Sequence, residues 1–216
     1  MGLSSHTATA VNDETIVVVG REGGVREQRR FGDVFLLRVD FERKSYFYEE
    51  APFKIDSRSG HTAAVLSSSA SGEALMIFGG RQSEPCQGIV MRDLNMAVEG
   101  GLERRSELLL KLERLAKPVK DMKRGLRHHA MLQLSSNSVA IHGGENFMAR
   151  ENVTDKLYLV KMGPRSQIEW FRIKVTKQLY RCGHCLFAQD DKIFAVGGIG
   201  RDGKKTVEWV TEIELA

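Results

Sequence analysis

A unit that occurs four times constrains this chain more than any other feature. A histidine following a small or polar residue opens each copy, at His6, His61, His129 and His184, and apolar residues in near alternation follow it. A second apolar run then ends in glycine, over Ile16 to Gly20, Leu75 to Gly80, Val139 to Gly144 and Ile193 to Gly198. From histidine to first glycine the separations are 14, 18, 14 and 13 residues. The longest holds Ser67 to Gly72, a small-polar stretch that reads as a loop inserted between the two runs.

Each pair of runs is divided by a polar turn, such as Asn12-Asp13 or Asp190-Asp191, and so reads as a two-stranded hairpin. Further strands follow in the first copy, Asp33 to Leu37 and Ser45 to Tyr48, and in the third, Asp155 to Val160 and Ile168 to Phe171. Four short antiparallel strands in a repeat of about 50 residues are the signature of a propeller blade. The fold class is therefore all-β, a propeller with four recognisable blades and an incomplete ring. The double glycine fits this role, since it permits a positive φ at a strand exit and a close approach of backbones where blades crowd.

The small-x-His opening, the apolar run into Gly-Gly, the Asp-apolar third strand and the aromatic fourth strand resemble kelch repeats. Outside the motif, Gly2-Leu3-Ser4-Ser5-His6-Thr7, Gly20-Arg21-Glu22-Gly23-Gly24, Gln28-Arg29-Arg30, Ser57-Arg58-Ser59-Gly60-His61 and Leu126-Arg127-His128-His129 extend the resemblance to a member of that family over nearly the whole chain. There are departures. Arg21 stands where the second glycine of the first copy would be, and the second copy lacks a clear fourth strand.

On this reading residues 1–216 form one kelch-type domain, with repeats at about 3–50, 57–92, 126–174 and 180–216 and a helical, basic insertion at 93–125 in the second repeat. Leu102, Leu108, Leu109, Leu112, Leu115 and Val119 fall near helical spacing, and Pro118 should stop or kink the helix. From Glu103 to Arg127 nine Lys or Arg face four Asp or Glu, so the insertion could serve as a binding arm. The plainer expectation is that its leucines pack on the outside of its own blade and its charges are solvated.

Each blade buries a face on the next, so an open arc of four leaves two faces bare, together larger than the roughly 300 to 600 Å² patch usual on a monomer. The expectation is a chain shortened at its N-terminus by about two blades, or a ring completed by a second copy or another chain.

Composition narrows the function classes. At 216 residues, 42% hydrophobic and 28% charged, the chain can bury a substantial core. Its apolar runs are far short of the roughly 20 residues of a membrane span, and no signal segment follows Met1. Three cysteines do not make a disulfide framework, so a cytoplasmic or nuclear rather than secreted protein is expected. A net charge of +4 calls for no nucleic acid.

Enzymatic motifs are present only in outline. Cys182-Gly183-His184-Cys185 copies a redox motif, but the apolar run and turn after it replace the helix whose N-terminus would activate the first thiol. Gly198 to Lys205 comes within one residue of a phosphate loop, but strand alternation follows where a helix must open. The repeat histidines belong to different blades, which separates them from any single metal ion, and they are expected to bond backbone inside each blade. No catalytic residue, metal or cofactor is expected.

What remains is a non-catalytic protein-interaction scaffold. The resemblance implies partners at the face carrying the loops that enter each first strand and leave each second one. By position these present Arg58 and Arg181 ahead of the histidines, and Arg21 and Arg81 after the glycines. Such a mouth suits an acidic peptide or terminal carboxylate, because the planar guanidinium binds carboxylates bidentately. The resemblance also raises an A-type cyclin as partner. The second reading is a substrate receptor of a cullin-type ubiquitin ligase, ranked lower because neither a BTB-like domain nor a helical box flanks the repeats.

Overall fold

The computed structural model describes residues 4–23, 30–70, 72–81, 84–90, 107–122, 125–146, 153–202 and 209–216. They form four successive antiparallel sheets, one for each copy of the repeat. The first blade is β1 (Thr7–Asn12), β2 (Thr15–Glu22), β3 (Arg30–Asp40) and β4 (Ser45–Glu50), paired in chain order. The second is β5 (Thr62–Ser68), β6 (Gly72–Phe78) and β7 (Cys86–Val90), three strands among the described residues. The helix α1 (Glu107–Leu115) and the short β8 (Lys117–Val119) come next. The third blade is β9 (Ala130–Ser135), β10 (Ser138–His142), β11 (Leu157–Met162) and β12 (Ile168–Ile173), and the last is β13 (Cys185–Gln189), β14 (Lys192–Val196) and β15 (Val210–Glu212). The strand alternation that follows Lys205 is met by β15, and 203–208 lie outside the described residues.

The central strands read as nearly continuous apolar runs because a neighbouring blade covers at least one of their faces, and both of them in the second and third blades. On the first blade Val17, Val19, Val34 and Leu36 pack against Leu75, Ile77 and Ile89 of the second. The second blade turns Leu66, Met76 and Phe78 to Val139, Ile141, Val160 and Trp170 of the third. Ala140, Leu157 and Leu159 on the other face of the third meet Ile193, Ala195 and Ile213 of the last. The inserted loop of the second copy is tied across its junction: Ser67 N–H donates to the Ser136 carbonyl at 2.8 Å, and Ser68 Oγ to the Pro164 carbonyl at 2.8 Å.

The insertion departs from expectation in its packing. Its apolar stripe, Leu108, Leu109 and Leu112, is buried with the core between the third and last blades, not against the second blade to which the sequence assigns it. Two of its charges are also partnered, Lys111 with Asp191 at 2.7 Å and Glu113 with Lys161 at 2.7 Å, while Glu107, Arg114, Lys117 and Lys120 are exposed. After Leu115 the chain adds β8 to the outer edge of the third sheet, pairing with β12. Pro118 fits there because an edge strand tolerates a missing donor. The part of the insertion from 93 to 106 lies outside the described residues. No helix among the described residues is long and apolar enough to cross a membrane.

Candidate interaction site

The loops that enter each first strand share one backbone geometry. The residue before each repeat histidine takes a left-handed conformation: Ser5 at φ 55°, Gly60 at 66°, His128 at 54° and Gly183 at 64°. These four positions are wired blade to blade. Gly60 N–H donates to the Ser5 carbonyl at 3.0 Å, His128 N–H to Gly60 at 2.8 Å, and Gly183 N–H to His128 at 2.7 Å. Three backbone bonds thus hold one end of the arc as a fixed rim.

The histidines act at the same junctions. They were expected to bond backbone within their own blades; instead each ring reaches back to the preceding one. His61 Nε2 donates to the Val19 carbonyl at 3.1 Å and lies 3.0 Å from Thr7 Oγ1. His129 repeats this with Thr62 Oγ1 at 2.9 Å and the Phe78 backbone. At the third junction Ala130 stands where the threonine would be, and His184 Nε2 meets His142 Nδ1 at 3.0 Å instead. Burial is the main cause that lowers the pKa to about 4 at His61 and His184 and about 3 at His129 and His142, so these rings are neutral near pH 7.

Glycine makes the room. A Cβ at Gly20 would lie 2.9 Å from both the Arg58 carbonyl oxygen and the His61 ring, and one at Gly79 would lie 2.5 Å from the Leu126 carbonyl oxygen and 2.6 Å from the His129 ring. At Gly143 it would crowd the Arg181 carbonyl oxygen and sit 2.7 Å from the His184 ring.

The four arginines named from sequence do not converge on one open mouth. Arg58 is fully buried; its Nη1 donates to the Gly79 carbonyl at 2.9 Å and its Nη2 to Gln87 Oε1 at 2.8 Å. Arg181 repeats the staple in the last blade, 3.0 Å from the Gly197 carbonyl and 2.7 Å from Thr211 Oγ1. Both hold a blade's glycine turn to its third strand. Arg21 is buried as well, its Nε 2.9 Å from Asp33 Oδ2 and its guanidinium 3.7 Å over the Phe31 ring. Lys54, at 2.8 Å, completes that cluster, and these two cations hold the Asp33 carboxyl below the usual carboxylate range. Only Arg81 carries its charge at the surface: its side chain is 38% exposed and 3.3 Å from Glu22, across the first junction.

Two rim residues were absent from the sequence-based set. His128 Nδ1 lies 2.8 Å from Glu145 Oε1, and Arg127 Nε 3.2 Å from the same oxygen. The His128-His129 pair was the available signal, because only the second ring is needed for the repeat. The other motifs find no reactive setting. Cys182 is buried, which raises its thiol pKa, and β13 rather than a helix begins at Cys185. The phosphate-loop resemblance runs past 202 into residues outside the described set. Among the described residues no group of three His, Cys, Asp or Glu side chains could hold a metal ion.

The staple makes a first prediction. Arg58→Ala strands the Gly79 carbonyl and opens a cavity, and is expected to cost about 3 kcal/mol in urea-unfolding experiments. A loss under about 1 kcal/mol would contradict the staple.

Four successive antiparallel sheets, stacked face to face and keyed at each junction by a histidine of one blade against a glycine of the blade before it, define a kelch-type β-propeller. The chain belongs to the kelch-repeat family, whose fold is in general a non-enzymatic protein-interaction domain. It is 31% identical over 224 residues to kelch domain-containing protein 9 of Mus musculus, a match covering 99% of this chain and 62% of that protein. Against kelch domain-containing protein 9 of Homo sapiens it is 31% identical over 216 residues, covering 94% and 59%. The chain thus spans less than two thirds of the length of these curated relatives. No family model matches it.

Proposed function

We propose that the chain is a non-catalytic protein-interaction module that receives its partner on the rim formed by the loops before the repeat histidines and after the glycines. The observation that carries this reading is the rim's rigidity. Its left-handed turns are joined by successive backbone bonds, so a ligand loses little affinity to ordering the loops.

The surface chemistry there is paired charge: Arg81 beside Glu22, and Arg127 and His128 around Glu145. Arg81 is the residue placed to meet a partner carboxylate, while Arg21, Arg58 and Arg181 shape the loops beneath it. An acidic segment docking between Arg81 and His128 would draw on charge-assisted hydrogen bonds to both.

Affinity capture from cells with the full chain, beside Arg81→Glu and His128→Ala, tests this. Each substitution is expected to weaken the captured interaction about tenfold or more. Partners recovered equally by all three proteins would overturn the rim assignment. An A-type cyclin, raised by the resemblance, is the first candidate to probe; recovery of a cullin would favour the substrate-receptor reading.

A further inference from the structure

The three junctions inside the molecule are built from the same parts, and the two outermost blades carry the unmatched halves of a fourth. At each junction the later blade contributes a backbone N–H and a histidine ring. The earlier blade contributes a carbonyl, a glycine socket and an apolar sheet face.

On the first blade the contributing half meets no preceding blade among the described residues. His6 is exposed, whereas its counterparts His61, His129 and His184 are buried. The blade's outer face presents Phe35, Tyr46 and Tyr48 in edge-to-face contact, with Tyr46 71% and Tyr48 52% exposed.

On the last blade no described residue fills the receiving half. Gly197 has nearly the same φ as its counterparts, 66°, yet a Cβ there would meet nothing within 4 Å among the described residues. Gly183, the last member of the backbone relay, likewise has no described residue within 4 Å of a Cβ built there. The face beyond them carries Phe187 stacked on Phe194 with centroids 5.0 Å apart, and Val210, 55% exposed. Cys185 is exposed at the position that Thr7 and Thr62 occupy when they meet the next blade's histidine.

We propose that the last blade of one copy docks on the first blade of a second copy, with His6 of the partner subunit entering the Gly197 socket. A second copy is the occupant because the chain itself carries the complementary half, and the contact continues an interface used three times already. Two such head-to-tail contacts related by a two-fold axis close a ring of eight blades, within the range of roughly four to eight that propellers adopt. The proposal does not depend on the rim's receiving a partner, because it rests on the sockets and sheet faces of the outermost blades.

Light scattering after size exclusion, with the full chain at about 50 µM, should give twice the chain mass of 24.2 kDa. Gly197→Asn fills the socket with a residue that tolerates a left-handed φ, and His6→Ala removes the ring; each is expected to raise the dimer dissociation constant about tenfold or more. Phe187→Glu should give a monomer. Far-UV circular dichroism and urea midpoints establish that each variant is folded. A wild-type monomer at that concentration overturns the proposal and assigns the faces to blades outside this chain. A dimer unmoved by all three substitutions overturns it too, and a ladder of larger species overturns the closed ring.

Discussion

Acidification from about pH 7.5 to 5 is expected to remove most of the protein's stability, because four junction histidines are held neutral by burial. The sign follows from where the protons go. An unfolded chain protonates its histidines near the usual 6.5, whereas the folded rings resist until about 4 at His61 and His184 and about 3 at His129 and His142. Between these limits the unfolded state binds more protons, so stability falls with pH. At pH 5 each ring contributes a loss on the order of 2 kcal/mol, and the four together are comparable to the whole stability of an ordinary domain. His142 and His184, in contact at 3.0 Å, will titrate as a pair. Urea midpoints at pH 7.5, 6.5, 5.5 and 5 read the effect. A midpoint that held constant to pH 5 would mean that the rings are hydrated and the junctions loose.

Gly143→Ala is expected to cost about 4 kcal/mol, the largest loss among the single substitutions considered. A φ of +67° alone strains an L-residue by about 1 kcal/mol. The rest comes from the next blade: the added methyl group collides with the Arg181 carbonyl oxygen and the His184 ring. Neither can retreat cheaply, since the carbonyl also accepts from Gly144 N–H at 2.8 Å and the ring bonds His142. The third and last blades would be forced apart along a core that includes Leu157, Leu159 and Ile193. Equilibrium unfolding checks the size of the loss, and a cost near 1 kcal/mol would show that the junction yields.

Much of each blade was legible in the sequence, because apolar alternation and the glycine stop are local signals. The junctions were not. His61 and Thr7 are 54 residues apart, and His129 and Thr62 are 67 apart, so reading a repeat copy by copy assigns each ring to its own blade. The arginines misled for a related reason: the donor fork that suits a partner's carboxylate serves a buried carbonyl equally well, and burial decides between them. Arg58 is buried and Arg81 is partly exposed, a difference that residue type does not encode. The helical stripe of the insertion was visible, but its resting place against the third and last blades depends on a groove that exists only once both have folded.

The claim that adjacent blades lock through glycine sockets is tested most directly by a matched pair. Gly143 and Gly197 have nearly the same backbone angle, 67° and 66°, but among the described residues only the first faces a following blade. In a Phe187→Glu background, which keeps the last socket vacant, alanine at each position should add the same backbone strain. Urea unfolding should then show Gly143→Ala costing at least about 2 kcal/mol more than Gly197→Ala. Equal costs at the two positions would contradict the locked-junction account.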